Sequence, residues 1–183
     1  FFNPFFIILF GSIFSIMWVK LSQIGKNPSI PLKFCFGIVQ LALGFLLTKL
    51  GFQFVNEAYQ VPILTLVFLY MLHTSGELFL SPIGLSMVTK LSPKSMAGTA
   101  MGAWFLSFAI ANYVGGKIAA LTGGHGGGEV SSAEDGLLQY LDTFATIGYV
   151  LLAIAALIFV IIARPADPVN PVINANLSEW SGT

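Results

Sequence analysis

Five apolar runs of bilayer length recur along the chain, and this repetition restricts the fold more than any single motif. They cover Phe2 to Leu21, Leu32 to Leu50, Val61 to Val88, Ala97 to Leu121 and Thr143 to Ala163. A hydrocarbon core asks for about 17–25 helical residues at ~1.5 Å rise each. Inside lipid every backbone group must be satisfied within the segment or within a closed barrel. Spanning strands would show alternation over about ten residues with polar inward positions, and none is seen. The expected fold is an all-α membrane protein with five transmembrane helices and the lipid bilayer as its solvent. Composition agrees: 9% of residues are charged and 56% hydrophobic, whereas soluble domains carry about 25% charged residues. A formal net charge of zero argues against a nucleic-acid partner. Cys35 is the one cysteine, so it makes neither an internal disulfide nor, with two distant histidines, a metal cluster. No metal and no cofactor are expected.

Basic residues set the orientation. Lys20, Lys26 and Lys33 fall in the first loop, Lys90 and Lys94 in the third, and Arg164 follows the last run. The second loop has Lys49 at its edge and Glu57, and the fourth carries Glu129, Glu134, Asp135 and Asp142 with Lys117 just before it. The positive-inside rule therefore makes the first and third loops and the C-terminus cytoplasmic. Residues 166–183 read as a disordered cytoplasmic tail, spaced by prolines. The triplet Asn176-Leu-Ser178 is then an idle glycosylation match. The Gly-rich loop from Thr122 to Asp142, with His125, reads as a solvated outer linker. It has no G-K-[ST] of a phosphate loop, and no nucleophile–base pair or metal-ligand spacing marks the chain as an enzyme. The chain starts inside a hydrophobic run, without Met or a basic leader, so upstream helices are expected.

The third run holds a carboxylate. Glu77 lies near its middle, with His73 and Ser81 four residues to either side on one helical face. A carboxylate at mid-bilayer costs on the order of 2.5–3.5 kcal/mol by insertion scales, so it faces a bundle interior or a watery cavity. The bland alternative is a buried ion pair that only fixes packing. Pro82 removes a backbone hydrogen bond to the Leu78 carbonyl and, with Gly76 and Gly84, offers a place to bend. His73 is either a satisfied core residue or a proton carrier.

Other positions carry weaker signals. Asn3 before Pro4 reads as a helix cap, or as a deep polar group if the helix begins upstream. Gly37, Gly44 and Gly51 repeat every seven residues and leave one flank of the second helix smooth. Gln40 is expected to bond a neighbouring helix, and Cys35 to behave as a small hydrophobe. In the fourth run Gly98 and Gly102 form a G-x-x-x-G continued by Ala103, Ser107, Ala111 and Gly115, a face expected to pack tightly on another helix or slide along it. Trp104 is either an interfacial anchor or, deeper in the span, a pocket wall.

Three runs together resemble the proton-coupled oligopeptide transporters of the major facilitator superfamily, bacterial members above all: Phe2-Asn-Pro-Phe-Phe-Ile7, Gly76-Glu-Leu-Phe-Leu-Ser-Pro-Ile-Gly-Leu-Ser86 and Gly102-Ala-Trp-Phe-Leu106. The second is the specific one. The resemblance covers about Phe2 to Pro165 and implies helices 8 to 12 of a twelve-helix fold, with the N-terminal half and helix 7 as missing partners. It implies proton-driven symport of di- and tripeptides across the inner membrane by alternating access, with protons as the coupling ion. Glu77, Asn3, Trp104 and Ser81 are then substrate-binding positions, and Glu77 and Pro82 belong to the gate. No role for His73 follows from the resemblance, so proton coupling there rests on its position alone. Half of another major facilitator, carrying sugars or drugs, is the alternative.

Overall fold

A computed structural model describes residues 2–57, 60–122 and 132–163. Five long helices follow one another: α1 (Phe2–Gln23), α2 (Ile30–Gly51), α3 (Ile63–Leu91), α4 (Ala97–Thr122) and α5 (Ala133–Ala163). One 3-10 turn, Phe52–Phe54, extends α2. The α1–α2 connection turns at Gly25, whose φ of 67° suits glycine. α2 starts on Pro31 in its first turn, where a missing N–H is no loss.

Two sequence expectations need correction. The fifth helix begins at Ala133, not Thr143. Its start is capped by Ser132: the Asp135 amide donates to Ser132 Oγ at 3.1 Å and that hydroxyl donates to Asp135 Oδ2 at 2.8 Å. Glu134 and Asp135 in the first turn also suit the helix dipole. α5 thus takes in residues 133–142 of the expected linker; residues 123–131, with His125, and the tail 164–183 lie outside the described residues. Among the described residues four helices are both long and apolar enough to cross a membrane by length and composition: Phe2–Gln23, Ile30–Phe54, Ile63–Lys90 and Glu134–Ala163. α4, with 26 residues, has the length of a span as well. Second, Lys33 is not a loop residue; it sits in the first turn of α2 and is buried.

α2 is the hub, packing chiefly on α5 and α3, while α1 and α4 pack on α3. The seven-residue glycine repeat explains the α2–α3 seam. A Cβ on Gly37 would stand 2.8 Å from Leu80 Cγ, and one on Gly51 would stand 2.6 Å from Thr65 Cγ2. At Gly76 the facing atom is backbone, the Gly37 carbonyl oxygen at 2.8 Å, so the two helices touch main chain to main chain. Ser75 Oγ donates to Gln40 Oε1 across the same seam, the interhelical use expected of Gln40. On the other side of α2, Leu46 fills the notch at Gly148, and Cys35 is buried with its thiol against the Ala155 carbonyl at 3.4 Å. Much of the remaining apolar surface is exposed, from Ile8 on α1 to Leu157 on α5. Such a surface suits lipid or further helices and not water.

Candidate functional site

Glu77 is the midpoint of α3. Its side chain is exposed, and no ion pair reaches it among the described residues. The alternative of a carboxylate locked in a packing ion pair within this bundle is therefore not what the structure shows. A pocket of about 320 Å³ opens beside it, lined by Asn3 of α1, Leu41 of α2, and Tyr70, His73, Thr74, Glu77, Leu80 and Ser81 of α3. The α3 members recur every three or four residues, so the helix presents one polar stripe. Asn3 lies inside α1 and is not a cap: its Oδ1 accepts a hydrogen bond from Thr74 Oγ1 at 3.3 Å. That bond ties α1 to the stripe at the pocket.

His73 is held from behind. Its ring lies against Phe45 with centroids 4.5 Å apart. It fills the notch at Gly44, where a Cβ would come 2.6 Å from Nε2. That Nε2 is buried without a partner among the described residues. Sequence spacing alone put His73 beside Glu77; it gave no sign that the ring would be wedged into the α2 seam.

Trp104 stands apart from this pocket. It lies on the α3–α4 seam over Gly84, where a Cβ would come 2.3 Å from Cη2, and it meets Phe108 edge-on at 6.0 Å. Pro82 is within the unbroken helix α3, exposed, two residues before Gly84. Among pocket residues, Tyr70, Thr74, Leu41 and Leu80 were not singled out from sequence. Tyr70, Thr74 and Leu80 had a legible signal in their helical spacing from Glu77; Leu41 had none, because its place depends on how α2 crosses α3.

Chemically the pocket offers one carboxylate, hydroxyls and an amide inside walls of Leu41, Leu80 and Tyr70. That set favours a cationic head group, held by charge-assisted hydrogen bonds, with apolar walls for the rest of a solute. Its volume is within the range of about 300–1,000 Å³ usual for small-molecule sites. A second cavity, about 350 Å³, lies between the far ends of α2 and α3 among Leu47, Leu50, Phe54, Leu64 and Phe68. Thr65 is its one polar side chain, so it has little to orient a polar solute.

Residues 1–127 match the POT family. The chain belongs to that family. Dipeptide and tripeptide permease A of Edwardsiella piscicida is 38% identical over 155 residues, covering 85% of this chain and 31% of the relative. Dipeptide and tripeptide permease B of Aliivibrio fischeri is 32% identical over 180 residues, 97% of this chain and 35% of the relative. Among solved structures, a peptide transporter POT in complex with sulfate superposes with a TM-score of 0.72 at 31% identity, covering 89% of this chain and 30% of that one. A POT family transporter in complex with a thioalcohol conjugated peptide gives 0.71 at 29% identity, with 87% and 29% covered. The chain therefore spans about a third of the length of these relatives. The fold is that of a POT segment, all-helical, and the protein is a multi-pass membrane protein. The Glu77 pocket is carried by helices α1, α2 and α3, all within the matched residues.

Proposed function

We propose that this POT segment forms part of a proton-driven symporter of di- and tripeptides, working by alternating access in the inner membrane. The observation that carries the reading is the exposed, unpaired Glu77 carboxylate at the centre of a spanning helix, facing a polar pocket. The printed names of the relatives, permeases for dipeptides and tripeptides, and a structural neighbour holding a peptide conjugate support it. Glu77 takes the peptide's amino terminus as an ion pair, with Asn3 and Ser81 supplying neutral hydrogen bonds. Trp104 walls the space for larger substrate side chains on the α4 side. Pro82 with Gly84 gives α3 a joint for the inner gate, since one backbone hydrogen bond is absent there. His73, four residues from Glu77 with an unpartnered Nε2, is the local candidate for handing on a proton. Secondary transporters of this kind place their site at the midplane between two rocking halves, so the remaining helices of the transporter are its obligatory partners. The C-terminus is cytoplasmic by the distribution of Lys and Arg. No enzymatic step is assigned.

Glu77→Gln in the full-length transporter tests the assignment, because it keeps size and a carbonyl acceptor but removes the charge. Free dipeptides should lose roughly tenfold or more in competition binding, the scale of a charge-assisted bond, while N-acetylated dipeptides change little. Wild-type discrimination between free and acetylated peptides, together with lost proton-driven uptake, would move Glu77 from the substrate to the proton path.

A further inference from the structure

Lys33 is the one buried charged residue among the described residues, 8% exposed in the first turn of α2. No carboxylate among them pairs with it. Its Nζ stands instead 4.3 Å from the centroid of the Trp18 ring on α1. Trp18 meets Phe79 of α3 edge-on, centroids 5.2 Å apart and planes at 75°. Phe79 is itself buried and meets Phe14 of α1 edge-on at 5.0 Å. The contacts thus run from a cation on α2, through an indole on α1, to a ring on α3 two residues beyond Glu77 and two before Ser81. Burying an ammonium is costly without compensation. A methionine would fill the same space without that cost, and an indole face is among the few apolar surfaces that attract a cation.

We infer that Lys33 is a positioning residue for the Glu77 pocket: its ammonium holds the Trp18 indole, which holds Phe79 and so fixes the turn of α3 bearing Glu77 and Ser81. The contact joins α2 to α1, which otherwise packs chiefly on α3, so it closes a three-helix ring just beyond the pocket. Lys33 touches no solute; it acts through two rings. This inference rests on the pocket being a peptide site, and its test separates the two.

Lys33→Met, Lys33→Arg, Trp18→Leu and the double variant Lys33→Met/Trp18→Leu are compared in the full-length transporter, with Trp18→Phe as a milder ring change. Two quantities are read: Tm in detergent without substrate, and KM and Vmax for dipeptide uptake at equal membrane levels. Lys33→Met should raise KM by roughly threefold to tenfold with Vmax little changed, the range of a desolvated cation–aromatic contact. Lys33→Arg should restore KM to within about twofold, since guanidinium also stacks on indole. In the Trp18→Leu background the Lys/Met difference should vanish in both Tm and KM, and in Trp18→Phe it should shrink. A Lys33→Met protein with wild-type KM overturns the inference even if Tm shows coupling. So does a defect that persists undiminished without Trp18, which would place the partner of Lys33 elsewhere, and so does an arginine variant as impaired as methionine. A wild-type protein that takes up no dipeptide refutes the reading of the pocket, and the functional role of Lys33 with it, whereas the Tm cycle still reports the contact.

Discussion

Two seams of this bundle carry the same sequence signal and come out differently. On α2, Gly37, Gly44 and Gly51 each lie under a group of α3: Leu80, His73 and Thr65 in turn. On α4, Gly98, Gly102, Gly115 and Gly116 face open space, with nothing within 4 Å of where a Cβ would stand. The G-x-x-x-G face of α4, expected to pack tightly on another helix or slide along it, has no neighbour at its glycines among the described residues. Small residues at helical spacing make a smooth face; they do not name the partner. α2 has its partners within the chain, because α3 returns beside it with Gly76 at the crossing point. α4 meets α3 mainly through a large residue, Trp104 over Gly84. The closed seam supports the polar stripe, and the open one leaves room for motion or for a further helix.

The contrast can be broken most forcefully at the crossing point. Gly76→Val drives a side chain into the Gly37 carbonyl oxygen, 2.8 Å away, and into Leu41 Cγ at 3.1 Å. Backbone cannot swing aside, so the loss should reach or exceed the upper part of the about 1–3 kcal/mol of ordinary overpacking. It should appear as a lower Tm and less monodisperse transporter. A protein as stable as wild type would show that the α2–α3 seam is looser than its main-chain contact implies.

Gly84→Ala should have an intermediate effect. Its Cβ would meet Trp104 Cη2 at 2.3 Å, but an indole can turn where a backbone cannot. About 1 kcal/mol of destabilisation is expected, and uptake of peptides with bulky side chains should fall more than that of dialanine. Equal losses for both substrates would make Trp104 a packing residue alone.

The smallest change is expected at the open face. Gly98→Ala and Gly102→Ala should leave Tm unchanged or raise it slightly, by up to about 1 kcal/mol equivalent for each, because alanine is the better helix former and its methyl meets nothing here. A marked drop in the full-length transporter would mean that another helix covers this face once assembly is complete, and would turn the open seam into a second closed one.

Sequence by itself determined much of this protein. Apolar runs of bilayer length left helices as the solution, since lipid offers no partner for unpaired backbone groups. Helical spacing around Glu77 put His73 and Ser81 on its face, because side-chain direction along one helix follows from its period. The start of α5 at Ala133 is not read from the sequence, because its charged first turns read as part of a solvated linker. What crosses between helices was decided only by tertiary structure. Asn3 looked like a cap until Thr74 was found to donate to it. Lys33 looked like a loop charge until α1 brought Trp18 over it. Leu41 entered the pocket, and Trp104 stayed out of its lining, through the angles at which α2 and α4 meet α3. Those angles come from which ridges fill which grooves, a property of paired surfaces that no single stretch of chain encodes.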